Sequence, residues 1–386
     1  MPNESAARPN SLLVIGDPHS RRAALLRNAA QLVGLPCQVI SYLDLQDRGA
    51  TDWCQAAAGG LLRIEAPGSD PETTRLMLNA GTAEMERRRL VAIAGDEINQ
   101  RACSRGEIVC PLQWFLGFDH ILQDLQRAGD QAQTRWMNAP SAIALAFDKL
   151  ACKQLWMKSD VPVAAGYEGI RTYDQLRAAI PRRHARIFVK LRYGYSAMGA
   201  VALEWRDSQV RAITSVETTW HAGRPRMYVS KRPRVLQREF DIAWLIDTLG
   251  MEEIVVEDWL PKARWNAKPF DLRIVVIGGK ARHAVGRASG SPFTNLNLDA
   301  ERIPQSALSE SLGAGWTLAV DAAERAARQV QGAYYLGMDV LVRPCRRQCA
   351  VLEANAFGDY LPGLDWEGDS TYSAELRSYL HARDAA

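Results

Sequence analysis

The chain has 386 residues, is 47% apolar and 24% charged, and carries a net charge of +3. That length exceeds one small core and suits two or three fused lobes. The small net charge gives no reason to expect a nucleic-acid partner, and no apolar run is long enough to span a bilayer.

Residues 1–10 are polar and lack the apolar stretch of an export signal, so a cytoplasmic protein is expected. Seven cysteines, an odd number, then read as reduced thiols. Cys345 and Cys349 lack a neighbouring histidine or second cysteine pair, and read as thiols flanking a turn.

Residues 12–16 form an apolar strand ending on Gly16, and Asp17-Pro18 opens a helix. Leu25, Leu26, Ala29, Ala30 and Val33 recur at helical spacing, Gly34 stops the helix, and residues 37–42 read as the next strand. This β-α-β order predicts an open parallel sheet. A lone Gly16 is too few glycines for a dinucleotide fingerprint. Residues 73–90 read as a helix, 90–94 as a buried strand and 111–125 as a helix. Asn138-Ala139-Pro140 marks a boundary.

A single helix is expected over 142–158, carrying Asp148 and Lys149, and a short one over 173–179. Residues 186–190 form a strand ending at Lys190, followed by a glycine-bearing turn, Gly194 to Gly199, and a strand over 200–205. Residues 207–235 are basic, and 240–249 are helical. Strands follow at 253–260, 271–277 and 280–286, then an alanine-rich helix over 316–331. Residues 338–342 and 349–353 read as a hairpin around 344–348. The expected division is 1–138, 139–252 and 253–386.

Four groups of residues carry chemistry. Glu353 and Asn355 share one strand face, and a paired strand can bring Asp339 to the same face. Two carboxylates and an amide oxygen suit magnesium that also holds phosphate oxygens. Lys190, leaving a buried strand, can reach a phosphate, and the turn Ser196-Ala197-Met198-Gly199 can offer backbone N–H groups to phosphate oxygens. Glu257-Asp258-Trp259-Leu260 ends a strand and can offer backbone groups to adenine and an acid to ribose. Asp271 and Arg273 share a strand face, with Arg287 on the next strand and Asn295 beyond, and such arginines stabilise a transferred phosphoryl group.

Taken in order, from Asp148-Lys149 through Lys190 and its turn, Glu257 to Leu260 and Asp271-Leu272-Arg273, to Asp339 and Glu353-Ala354-Asn355, these pieces resemble the ATP-grasp superfamily. The resemblance covers residues 138–363 and is nearest in flavour to ribosomal-protein glutamate ligases and glutathione synthetases. It implies an α/β and α+β chain: an ATP-grasp fold preceded by an open parallel-sheet, Rossmann-like N-terminal domain.

The resemblance further implies that Lys149 and Lys190 contact the phosphates of ATP and that Glu257 to Leu260 line adenine. Asp258 is assigned to ribose, with the register open by one position. Arg287, with Arg273, would face the γ-phosphate, Asn295 would lie nearby, and Asp339, Glu353 and Asn355 would hold two magnesium ions. The turn Gly194 to Gly199 would be a mobile lid. The activity implied joins a small-molecule or peptide carboxylate to an amine through an acyl phosphate, with no nucleic-acid or membrane partner and a homo-oligomer left open. A phosphotransferase on the same fold, or a nucleotide-binding protein without turnover, are the alternatives.

Overall fold

The computed structural model describes residues 9–68, 70–100, 104, 106–180, 184–207, 209–221, 224–298, 300–357, 361 and 363–384. Its first sheet contains β1 (Leu12–Ile15), β2 (Cys37–Ile40), β3 (Leu61–Ile64) and β4 (Arg135–Trp136). All pairings are parallel, in the order β2-β1-β3-β4. Every residue of β1 and β3 is buried, as expected of parallel strands covered on both faces. The chain leaves β1 for β2 on one side and then crosses to β3 on the other. The order therefore reverses between β1 and β3, and the crevice at their carboxyl ends is where open sheets hold ligands.

The second sheet contains β5 (Gly166–Tyr167), β6 (His184–Leu191), β7 (Val201–Arg206), β8 (Gln209–His221), β9 (Arg224–Leu236) and β10 (Ile254–Asp258). Its order is β5-β10-β6-β7-β8-β9, so this sheet extends past residue 252. The third contains β11 (Arg264–Trp265), β12 (Lys268–Ile277), β13 (Lys280–Ala288), β14 (Glu301–Pro304), β15 (Tyr335–Val342) and β16 (Cys349–Asn355). Its main path runs β14-β13-β12-β15-β16, antiparallel throughout. The helix Ala314–Gln329 packs on it through Ala319, Ala322, Ala323 and Ala326, all fully buried; small side chains allow the close approach. Mixed parallel and antiparallel layers give the α/β and α+β class expected.

Two expectations need correction. Residues 90–94 form no strand, and Val91 is 95% exposed. The Gln113 side chain bonds both the N–H and the carbonyl of Ile93, taking the place of a partner strand. The helix expected over 142–158 is two helices, Pro140–Phe147 and Lys149–Lys158. Asp148 breaks it by adopting an extended backbone and accepting from the N–H groups of Leu150 and Ala151, which caps the second helix. The basic stretch over 207–235 belongs largely to β8 and β9, a long hairpin at the edge of the second sheet.

Among the described residues, no helix is long and apolar enough to cross a membrane.

Candidate functional site

The second and third sheets face each other across a cleft. Its floor is one face of the third sheet, and register builds that floor. Arg302 on β14 is opposite Arg287 on β13, which is opposite Asp271 on β12. Two residues along β12, Arg273 is opposite Asp339 on β15, which is opposite Glu353 on β16. Directly opposed residues project to the same side of a sheet. A bulge after Asp339 leaves Leu352 unpaired between the partners of Asp339 and Val340. Such bulges re-aim side chains and recur beside functional sites.

The ladder is knitted by charge. Arg287 Nε donates to Asp271 at 2.8 Å and its Nη2 lies 3.0 Å from Asp339. Arg273 donates to both oxygens of Asp339, at 3.2 Å through Nη2 and closer through Nε. Lys262 donates to Asp271 at 2.9 Å and to Thr294 at 2.6 Å. Burial acts to raise Asp339, but Arg273 and Arg287 outweigh it and hold the carboxyl well below the ordinary range. Glu353 behaves oppositely. Burial, joined by the neighbouring Asp339 carboxylate, pushes it up despite the Lys149 ammonium.

Across the cleft, Lys190 on β6 donates to Glu257 on β10, and Lys149 Nζ lies 3.9 Å from Glu353. Burial lowers Lys149. It acts the same way on Lys190, where Glu257 and Glu353 outweigh it and hold the amine above the ordinary lysine value. The position of Lys149 follows from the cap at Asp148, whose carboxylate also receives Arg192 at 2.8 and 2.5 Å. The turn after β6 is thereby tied to the helix that carries Lys149, and Lys149 itself donates to the Gly194 carbonyl. Within the turn, Ser196 and Ala197 have φ of 51° and 61°, a left-handed pair that is uncommon for residues with a Cβ.

Most of the residues expected from sequence line one cleft: Lys149, Lys190, Glu257, Asp258, Arg287 and Asp339 do so, with Glu353, Ser196, Ala197, Met198, Leu260 and Asn295. Phe188, Phe293 and Met198 give it an apolar wall. Four expected residues, Gly199, Trp259, Asn355 and Arg273, sit elsewhere. Gly199 lies under Leu191 as part of the turn's fold. Trp259 turns its ring to Phe188 and beneath the Arg186 guanidinium, 3.8 Å away. Asn355 lies in an adjoining cavity that also contains Arg273, and its amide donates to the Gly337 carbonyl at 3.0 Å. Asp258 accepts from Tyr167 at 2.9 Å.

For a divalent cation, the donor chemistry fits. Glu353 and Asp339 are adjacent carboxylates whose mutual repulsion a cation would relieve, and Asn355 adds an amide oxygen. Among the described residues, no group of three or more His, Cys, Asp or Glu side chains is disposed to hold a metal. The trio has only two such members, in keeping with magnesium's use of few protein ligands beside substrate phosphates.

Sequence reasoning missed Lys153, Lys262, Arg302 and Arg22. Lys153 is buried, its Nζ 3.8 Å from Glu257. It sits one helical turn after Lys149, and that spacing was its available signal. Lys262 carried none, because its partner Asp271 comes from a strand that begins after an intervening turn.

The sequence matches no family model and no curated protein. Solved structures do share its architecture. The ATP-grasp ligase PsnB, bound to a phosphomimetic variant of its minimal precursor, Mg and ADP, aligns with a TM-score of 0.53 at 14% identity, over 98% of this chain and 99% of that one. The ADP complex of PurK, an N5-carboxyaminoimidazole ribonucleotide synthetase, aligns with a TM-score of 0.57 at 12% identity, over 97% and 78%. A RiPP-associated ATP-grasp ligase from Chryseobacterium gregarium, in complex with ADP and a leader and core peptide, aligns with a TM-score of 0.50 at 11% identity, over 97% of each chain. The chain has the ATP-grasp fold, as the resemblance in its sequence implied.

Proposed function

We propose that the chain is an ATP-dependent carboxylate–amine ligase that works through an acyl phosphate. One observation supports this most: Asp271, Arg287, Asp339 and Glu353 of the strand ladder share a single cleft with Lys149 and Lys190. In this reading cations stand on both sides of a polyphosphate; Glu257 and Asp271 are paired with lysine and arginine, and Asp339 and Glu353 are the carboxylates beside which a second cation would bind.

In this reading, adenine lies against Phe188, Phe293 and Met198, and the strand end from Glu257 to Leu260 offers it backbone groups. Asp258 receives the ribose. Lys149 and Lys190 hold the phosphates as point charges. Asp339, Glu353 and Asn355 would hold magnesium, two ions by family resemblance, which when bound neutralises charge on the phosphate oxygens. The substrate carboxylate oxygen attacks the γ-phosphorus, the bond to the β-phosphate oxygen breaks, and ADP leaves. Arg287, fixed by Asp271 and Asp339, stabilises the charge on the transferring group. An amine then attacks the acyl carbon, phosphate leaves with the bonding pair, and the amine loses its proton. Closure of the turn Gly194 to Gly199 protects the acyl phosphate from water. Tyr195 in that turn packs against Trp114, ring centres 6.2 Å apart, which gives the closed turn a resting place. A small-molecule or peptide acid and an amine are the substrates, in the cytoplasm.

The test is ADP and phosphate release with pools of acids and amines. Release that requires both pools supports the ligase. ADP without free phosphate would make the protein a kinase, and no ATP turnover with any pool would reject both.

A further inference from the structure

Resting on the ligase reading, we propose that the activated acid is bifunctional: one carboxylate accepts the phosphoryl group, and a second oxyanion, across an apolar spacer, binds Arg22.

A cavity of about 450 Å³ adjoins the cleft and shares Lys149, Arg287 and Glu353 with it. That size suits a small molecule. Its far end is built by the first sheet. Arg22, on the helix after β1, and Ala66-Pro67-Gly68, after β3, both line it. These segments flank the reversal in strand order, the place where an open sheet receives ligands. The wall between the two ends is aromatic: Trp114 and Phe147 lie 6.3 Å apart, and Phe147 and Phe357 5.8 Å.

Arg22 is a fixed cation. Its Nη1 lies 3.1 Å from Glu65 and donates to the Phe357 carbonyl at 3.1 Å and to the Tyr372 hydroxyl at 3.4 Å. Its side chain is 26% exposed and lines the cavity, whereas that of Glu65 is 5% exposed and does not. Glu65 is shared with Arg63 at 2.7 Å, and Arg63 also holds Glu375 at 2.6 Å. Burial pushes Glu375 up to about 7, so near neutrality the two arginines are not fully balanced by the two acids. A cavity with cations at both ends and rings between them selects an anion at each end. A monoacid fills one end only.

The experiment follows ADP and hydroxamate formation with hydroxylamine as the nucleophile, using matched acids: adipate against hexanoate, and 4-carboxyphenylacetate against phenylacetate. A third arm, 4-phosphonophenylacetate, distinguishes a distal phosphate from a distal carboxylate. The expected result is a KM at least about tenfold lower for the doubly anionic member, as a charge-assisted hydrogen bond gives. Arg22→Gln erases that ratio and Arg22→Lys restores part of it. Equal KM values within each pair, or a ratio that survives Arg22→Gln, overturns the inference. Should Arg22→Gln not fold, the wild-type ratio decides alone. Turnover of monoacids without preference leaves the ligase reading standing and removes this one. No turnover with any acid removes both.

Discussion

Lys190 and Glu257 are diagonal neighbours on adjacent strands: Lys190 lies opposite Val255, Glu257 lies opposite Phe188, and the amine donates to the carboxylate. Lys153 approaches the other oxygen of Glu257 at 3.8 Å. One buried carboxylate therefore serves two amines. Glu257→Ala removes the nearest carboxylate from both buried amines, and urea unfolding should record a loss of about 3 kcal/mol. Adding Lys153→Met should recover part of it. An unchanged midpoint in Glu257→Ala would show that the pair carries no stabilising role.

Glu353→Ala and Lys190→Ala remove one side of the cleft each. Turnover should fall by about a thousandfold or more in both, the scale of losing a charge-stabilising group. Circular dichroism should report a folded protein. Wild-type rates in either variant would remove the site assignment.

Gly199 has φ of 66°, and a Cβ there would sit 2.5 Å from Leu191 Cδ1 and 2.6 Å from its Cγ. Gly199→Ala combines left-handed strain with overpacking at the foot of the turn. A loss of about 2 kcal/mol is expected from a thermal melt. A neutral effect would mean that the turn yields easily.

Glu375 gives stability a pH dependence. Its folded value is pushed up to about 7, chiefly by burial, from an ordinary value of 4.5. Between these values the folded state binds the extra proton, so stability falls as pH rises through the window and the loss is complete above about 7. The full effect is at most about 3 kcal/mol. Glu375→Gln, which keeps an acceptor for Arg63, should flatten the urea midpoint between pH 4.5 and 7. An identical pH profile in the variant would place the titration elsewhere.

What the sequence disclosed was local. Lys190 stands at the end of an alternating strand, and Asp271, Arg273, Asp339 and Glu353 are polar residues inside apolar runs; period-two alternation put them on shared faces. It could not disclose which strands pair. The opposition of Arg302 to Arg287, and the entry of Arg22 from the first sheet, depend on contacts between distant segments. Residues 90–94 failed for a related reason: an apolar run becomes a strand only where an edge is available, and the Gln113 side chain already held Ile93. Residues 142–158 failed because Asp148 can end one helix and cap the next, a choice that helical periodicity does not register.

Transfer of oxygen from the acid to phosphate tests the central claim most directly. An active acid labelled with ¹⁸O in the carboxylate that is joined to the amine is turned over with ATP, and the released phosphate is weighed by mass spectrometry. An acyl phosphate held between Arg287 and the lysine pair predicts one ¹⁸O atom in each phosphate formed. Unlabelled phosphate, with amide product still accumulating, would contradict it.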